Sequence, residues 1–108
     1  MAIFFPADAA PRPVSPPDGR TAFTLQELQR FVGGFIEAVG LNVLVQPDGT
    51  PVVLFVNQDG KRGPAAPVNR YATALTRMAL VPGDVIVGDA ILCTLAEAGE
   101  TDAGDADG

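Results

Sequence analysis

The run Phe23-Thr24-Leu25-Gln26-Glu27-Leu28-Gln29-Arg30-Phe31-Val32-Gly33-Gly34-Phe35-Ile36-Glu37 sets a helix start, an amphipathic helix, a glycine stop and a strand end to end. Thr24 suits an N-cap, and Glu27 three residues on completes a capping box. Phe23 and Leu28 fall at the two positions of a hydrophobic staple. Leu25, Leu28, Phe31 and Val32 follow helical spacing and give one apolar face. Gly33 is placed to take the left-handed conformation that ends a helix, with Gly34 extending the break. The glycine pair has a second reading, a close approach of backbone to ligand. Phe35, Ile36, Ala38 and Val39 then read as a strand, with Glu37 its one charge. On alternate-residue logic Glu37 faces solvent; its other reading is a partner for an arginine or a ligand.

A chain of 108 residues has room for one domain with a modest core. It has no long apolar run, which predicts a soluble protein with no membrane span. Met1–Phe5 is too short and uncharged for a secretory signal, and Pro6 interrupts it. A single cysteine, Cys93, excludes an internal disulfide and points to the cytoplasm. It lies in an apolar strand-like run, where a buried inert thiol is expected.

The formal net charge of −6 is unevenly distributed. Glu97, Glu100, Asp102, Asp105 and Asp107 crowd the last twelve residues with no basic partner. We expect a folded body over 1–95 and a disordered acidic tail over 96–108. The low pI then describes the tail and not the body.

Ala2–Phe5 reads as a first strand. Pro6, Pro11, Pro13, Pro16 and Pro17 mark an extended surface loop, closed by a Pro17-Asp18-Gly19 turn. Leu41–Gln46 and Val52–Val56 flank Pro47-Asp48-Gly49-Thr50 as a hairpin. A second helix is expected from Asn69 to about Ala79. Asn69 would be its N-cap, and Tyr71, Ala72, Leu75, Met78 and Ala79 its apolar face. Val85–Leu95 reads as the last strand, with a bulge at Gly88-Asp89. Together these give an α+β fold: a single small domain, with a mostly antiparallel sheet of about five strands and two helices on one of its faces.

The composition excludes several chemistries. The chain has no histidine, so the commonest general base and metal ligand are missing. One cysteine cannot build a Cys/His zinc site. Ser15, the only serine, sits in the proline-rich loop with no base near it in sequence. Neither a GxxxxGK[ST] nor a GxGxxG phosphate motif is present. Asp18, Asp48, Asp59 and Asp84 all fall in turns, where they stabilise the turn. The expectation is a non-enzyme with no cofactor and no metal.

One segment breaks the charge pattern. Lys61, Arg62, Arg70 and Arg77 lie between residues 61 and 83 with no acid among them. Arg70 would sit in the first turn of the second helix, where backbone N–H groups favour anions. Lys61 and Arg70 are candidates to pair with a phosphate. Tyr71 would stack on a base, Asn57 and Asn69 would read polar edges, and Thr73 would add a donor. The plainer reading is a solvated basic loop beside a capped helix. Four charges are too few for a duplex-binding surface.

Four spaced motifs resemble one family: Leu25-Gln26-x-Leu28-Gln29-x-x-Val32-Gly33-Gly34-Phe35-Ile36-Glu37, Val56-Asn57-x-x-Gly60-Lys61, Pro67-x-Asn69-x-x-Ala72-Thr73, and Asp84-Val85-Ile86-Val87-Gly88-Asp89. In this order they resemble the domain-of-unknown-function family 3846, small proteins carried by phages, plasmids and bacteria. The resemblance spans residues 23–92 and leaves the proline-rich loop and the tail outside. It brings no catalytic residues with it. It implies a counter-defence setting, in the host cytoplasm where the gene is phage-borne: an inhibitor, an adaptor, or a homo-oligomeric sponge for a cyclic-nucleotide signal. The alternative is a protein-interaction module with no small-molecule ligand.

Overall fold

The computed structural model describes residues 2–40, 44–59, 67–76 and 84–99. Five strands form one sheet: β1 (Ala2–Phe5), β2 (Arg12–Val14), β3 (Ile36–Val39), β4 (Val52–Asn57) and β5 (Ala90–Thr94). Three α-helices accompany them: α1 (Leu25–Val32), α2 (Arg70–Leu75) and α3 (Leu95–Ala98). The strand order is β2-β1-β5-β4-β3, and every neighbouring pair is antiparallel. The α+β fold and the antiparallel sheet are as the sequence predicts.

α1 forms where its signals place it. Thr24 Oγ1 accepts the Glu27 N–H at 3.1 Å, and Glu27 Oε1 accepts the Thr24 N–H at 2.8 Å. Gly33 closes the helix at φ 81°, a left-handed conformation that costs a glycine little. Gly34 packs beneath Asn57, and a Cβ there would meet Asn57 Nδ2 at 2.8 Å. Both glycines are therefore explained by helix termination and packing. Glu37 is exposed on the edge strand β3, facing solvent.

The sheet has two apolar faces, and the helices divide between them. Phe4, Val53, Phe55, Ile91 and Cys93 point toward α1, where Leu28, Val32, Phe23 and Ala98 of α3 meet them. Phe5, Val52, Leu54, Val56, Ala90 and Leu92 point the other way, toward Ala72 of α2 and Ile86. This corrects the expectation of helices on one face only. Successive strand residues point to opposite sides, so the unbroken run Val52–Val56 requires cover on both.

Several boundaries differ from the sequence reading, each for a physical reason. β2 forms inside the proline-rich loop because it is an edge strand. There Pro13, opposite Ile3, lacks only an N–H that the sheet does not need. The Pro47–Thr50 turn is present: Asp48 Oδ1 accepts the Thr50 N–H at 2.9 Å, and Gly49 N–H donates to Gln46 O at 2.8 Å. Among the described residues the arm before it contributes one bridge, Val45 to Pro51, with the Val52 N–H donating to Leu44 O at 3.2 Å, and β4 pairs with β3 from Leu54 on. Leu41–Val43 lie outside the described residues, as do Arg77, Met78 and Ala79 of the expected second helix. The last strand begins at Ala90, after a left-handed Gly88, and Val87 makes only an isolated bridge to Val68.

The folded body also runs past residue 95, where the tail was expected to begin. Thr94 and Glu97 form a second capping box, with bonds of 2.9 and 3.1 Å, that launches α3. Ala98 is fully buried, and the Phe23 N–H donates to Glu97 O at 2.8 Å. Residues 100–108 lie outside the described residues. Cys93 is buried against α1 as expected. Burial pushes its thiol up to about 12, with the Glu97 charge adding to the effect. A thiol reagent at neutral pH is therefore expected to leave the native protein unmodified and to label it stoichiometrically in denaturant, because only the thiolate attacks. Rapid labelling of the native state would show that this part of the sheet opens.

Candidate binding clefts

The side chains expected to form one ligand site do different jobs. Asn69 is wholly buried. Its Nδ2 donates to Phe5 O at 2.7 Å and to Gly88 O at 2.8 Å, while Oδ1 accepts the Ala72 N–H at 3.0 Å. Both donors are used, so the amide ties α2 to β1 and to the approach of β5. Thr73 Oγ1 accepts the Ile86 N–H at 2.8 Å and faces the Ile86 carbonyl. Asn57 lies across the sheet from α2, at the end of α1: its Nδ2 donates to Val32 O at 3.2 Å and its Oδ1 accepts the Asp59 N–H at 2.8 Å. Lys61, like Arg62, lies outside the described residues.

Among the described members of the set, only Arg70 and Tyr71 stand together and open to solvent. They border a shallow groove of about 340 Å³ with Val68 and the Ala7–Ala10 loop. Asp8 shares that groove and offsets the Arg70 charge. The reason lies in how α2 docks. Asn69, Ala72 and Thr76 are its buried positions, all at 0% exposure, while Tyr71 is 56% and Leu75 44% exposed. Of the expected apolar face, Tyr71 and Leu75 therefore face solvent and only Ala72 of the described members is buried, while Met78 and Ala79 lie outside the described residues. The inner face of the helix carries a small side chain, Ala72, flanked by the polar Asn69 and Thr76 with their hydrogen bonds satisfied. Thr76 Oγ1, for example, donates to Ala72 O at 2.8 Å.

A larger cleft, about 500 Å³, lies on the α1 side between that helix and the β1–β2 edge. Phe4, Phe23 and Phe31 line it, and Arg12, Arg30 and Ser15 reach it from β2, α1 and the loop after β2. The rings pack on one another: Phe4 and Phe31 have centroids 5.1 Å apart at 46°, and Phe23 meets Phe31 edge-on at 5.9 Å and 89°. The Arg12 guanidinium lies over the Phe4 ring, 4.9 Å from its centroid, a cation–π contact.

Two cations, Arg12 and Arg30, and two carboxylates, Glu27 and Asp89, line this cleft. Glu27 is engaged by the Thr24 N–H and by Arg20, and these two hold its carboxyl below the usual carboxylate range. Asp89 Oδ1 accepts the Ala7 N–H at 2.9 Å. Among the described residues neither Arg12 nor Arg30 pairs with a carboxylate. Sequence reasoning missed this pair because eighteen positions separate them and no motif joins them. The aromatic residues that line the cleft also read locally as core.

The remaining chemistry is sparse. Among the described residues no group of His, Cys, Asp or Glu is placed to hold a metal ion. No described helix is long and apolar enough to cross a membrane. No curated protein and no solved structure matches the chain. A family match does, to a domain of unknown function (DUF3846), over residues 3–106. It takes in the proline-rich loop and most of the acidic segment, both of which the sequence motifs had left outside. That extent fits the structure, in which β1 is a central strand and β2 closes the edge beside it. The chain belongs to the DUF3846 family.

Proposed function

We propose that the chain is a non-enzymatic binding protein for a small phosphorylated molecule. The observation that carries this reading is the pair of exposed guanidiniums, Arg12 and Arg30, on an aromatic-lined cleft where neither has a carboxylate partner among the described residues. Arginine presents a planar fork of donors suited to phosphate oxygens. The volume falls within the range of small-molecule sites. Catalysis finds less support: Cys93 is buried and protonated, Ser15 has no histidine to activate it, and Asn57, Asn69 and Thr73 are spent on internal hydrogen bonds. In a phage or plasmid setting such a binder would sequester a cyclic-nucleotide signal in the host cytoplasm, and a homo-oligomer would deepen the cleft.

A second reading, a protein-interaction module, is favoured by one observation. Tyr71 and Leu75 are exposed one turn apart on the outer side of α2, and Val68 is exposed just before the helix. Thermal unfolding in the presence of inorganic phosphate, mononucleotides and cyclic nucleotides separates the two. A ligand that binds only the native state raises the melting temperature with concentration. Stabilisation by a phosphorylated compound recovered intact by chromatography is expected. Absence of any shift would favour the interaction module, and conversion of the compound would establish an enzyme.

A further inference from the structure

The structure assigns the cleft between β1–β2 and α1 to a nucleotide-like ligand, a planar ring carrying a phosphate. This rests on the proposed function and specifies its site and ligand class. Two cations alone would select any small anion. The Phe4–Arg12 contact adds a second requirement, because the guanidinium carbon sits over an aromatic ring, 4.9 Å from its centroid, in a cleft that Phe23 and Phe31 also line. Arginine planes stack on nucleobases as aromatic rings do. A base laid against the Arg12 guanidinium would extend the cluster that Phe4, Arg12 and Phe31 already form.

The phosphate goes to Arg30. That residue lies in the last turn of α1, on the opposite rim, exposed and with no carboxylate partner among the described residues. The in-plane donors of Arg12 remain available to the same phosphate, since stacking uses only the faces of the guanidinium. Of the two lining carboxylates, Glu27 has both oxygens occupied by Thr24 N–H and Arg20, and Asp89 has Oδ1 on the Ala7 N–H. Ser15 adds a neutral hydroxyl to the lining, able to donate or accept. Compared with this cleft, the Arg70–Tyr71 groove is smaller and has one cation where the cleft has two.

The assignment predicts that ring and phosphate contribute jointly. The full-length protein, labelled with 15N and 13C, would be titrated with the four ribonucleoside monophosphates, with inorganic phosphate and with the matching nucleosides. At least one monophosphate should bind about tenfold or more tightly than phosphate or its nucleoside alone, since each fragment forfeits one class of contact. Shifts should fall on the Arg12 and Arg30 guanidinium N–H signals and on the Phe4 and Phe31 rings. Arg30→Gln and Arg12→Gln should each weaken that binding about tenfold with unchanged amide spectra elsewhere, while Arg70→Gln leaves it unaltered. Shifts centred on Tyr71, with loss of binding in Arg70→Gln, would overturn the site and leave the proposed function standing. Phosphate binding as tightly as the nucleotides would overturn the ligand class alone. Failure of every phosphorylated probe would overturn both.

Discussion

Replacing Asn69 with alanine is expected to lower the unfolding free energy by about 3–5 kcal/mol. The effect has three parts, and all pass through one buried amide. As N-cap, Asn69 satisfies the Ala72 N–H, and losing such a cap costs about 1 kcal/mol. Its Nδ2 also satisfies the buried Phe5 carbonyl, whose loss of a partner costs about 1–3 kcal/mol, and the half-buried Gly88 carbonyl, whose loss costs about 1 kcal/mol. No buried side-chain polar atom lacks a partner among the described residues, so the native protein carries little slack of this kind. Asn69→Asp tests the mechanism: it keeps the cap acceptor and loses both donors, and it places a charge where burial is complete. It should be at least as destabilising as alanine. Denaturant titration with an unchanged slope is the measurement. A loss near 1 kcal/mol for Asn69→Ala would mean that the two carbonyls find water or other donors.

Phe55→Ala is expected to cost about 3–5 kcal/mol by the same measurement. Phe55 is 1% exposed at the centre of β4, between Ala38 of β3 and Ile91 of β5, and packs in the cluster that holds Leu28 and Val32 of α1. Removing the ring loses its transfer energy and leaves a cavity that a central strand, paired on both sides, is poorly able to close. Phe55→Leu keeps most of the volume and should cost roughly a third as much. Phe35→Ala is the control. That ring is 67% exposed, and its loss should stay within about 0.5 kcal/mol. A domain of this size has about 5–15 kcal/mol in total, so Phe55→Ala alone approaches the threshold of folding.

These two residues also mark what could be read in advance. Phe55 sits in an apolar run, and its burial follows from the run itself. Asn69 was legible as a helix cap, and its Oδ1 does that work. Its second role was not legible, because the Phe5 carbonyl lies 64 positions away in the chain. The same split recurs at the tail boundary. Thr24-x-x-Glu27 was legible as a capping box beside a long amphipathic pattern. Thr94-x-x-Glu97 has the same spacing but precedes only one turn of helix, in a segment whose acids suggest disorder.

Local signals determined α1, its cap and glycine stop, β1, β4 and the Pro47–Thr50 turn, because capping, turn chemistry and apolar runs act within a few residues. Only the tertiary structure decided that β5 runs between β1 and β4, that helices cover both faces of the sheet, and that α2 turns its small and polar side inward. It also brought Arg12 and Arg30 to one cleft while dispersing Asn57, Asn69 and Thr73. Antiparallel pairing of distant strands sets which edges and helix faces meet, and no periodicity within a single segment encodes that choice.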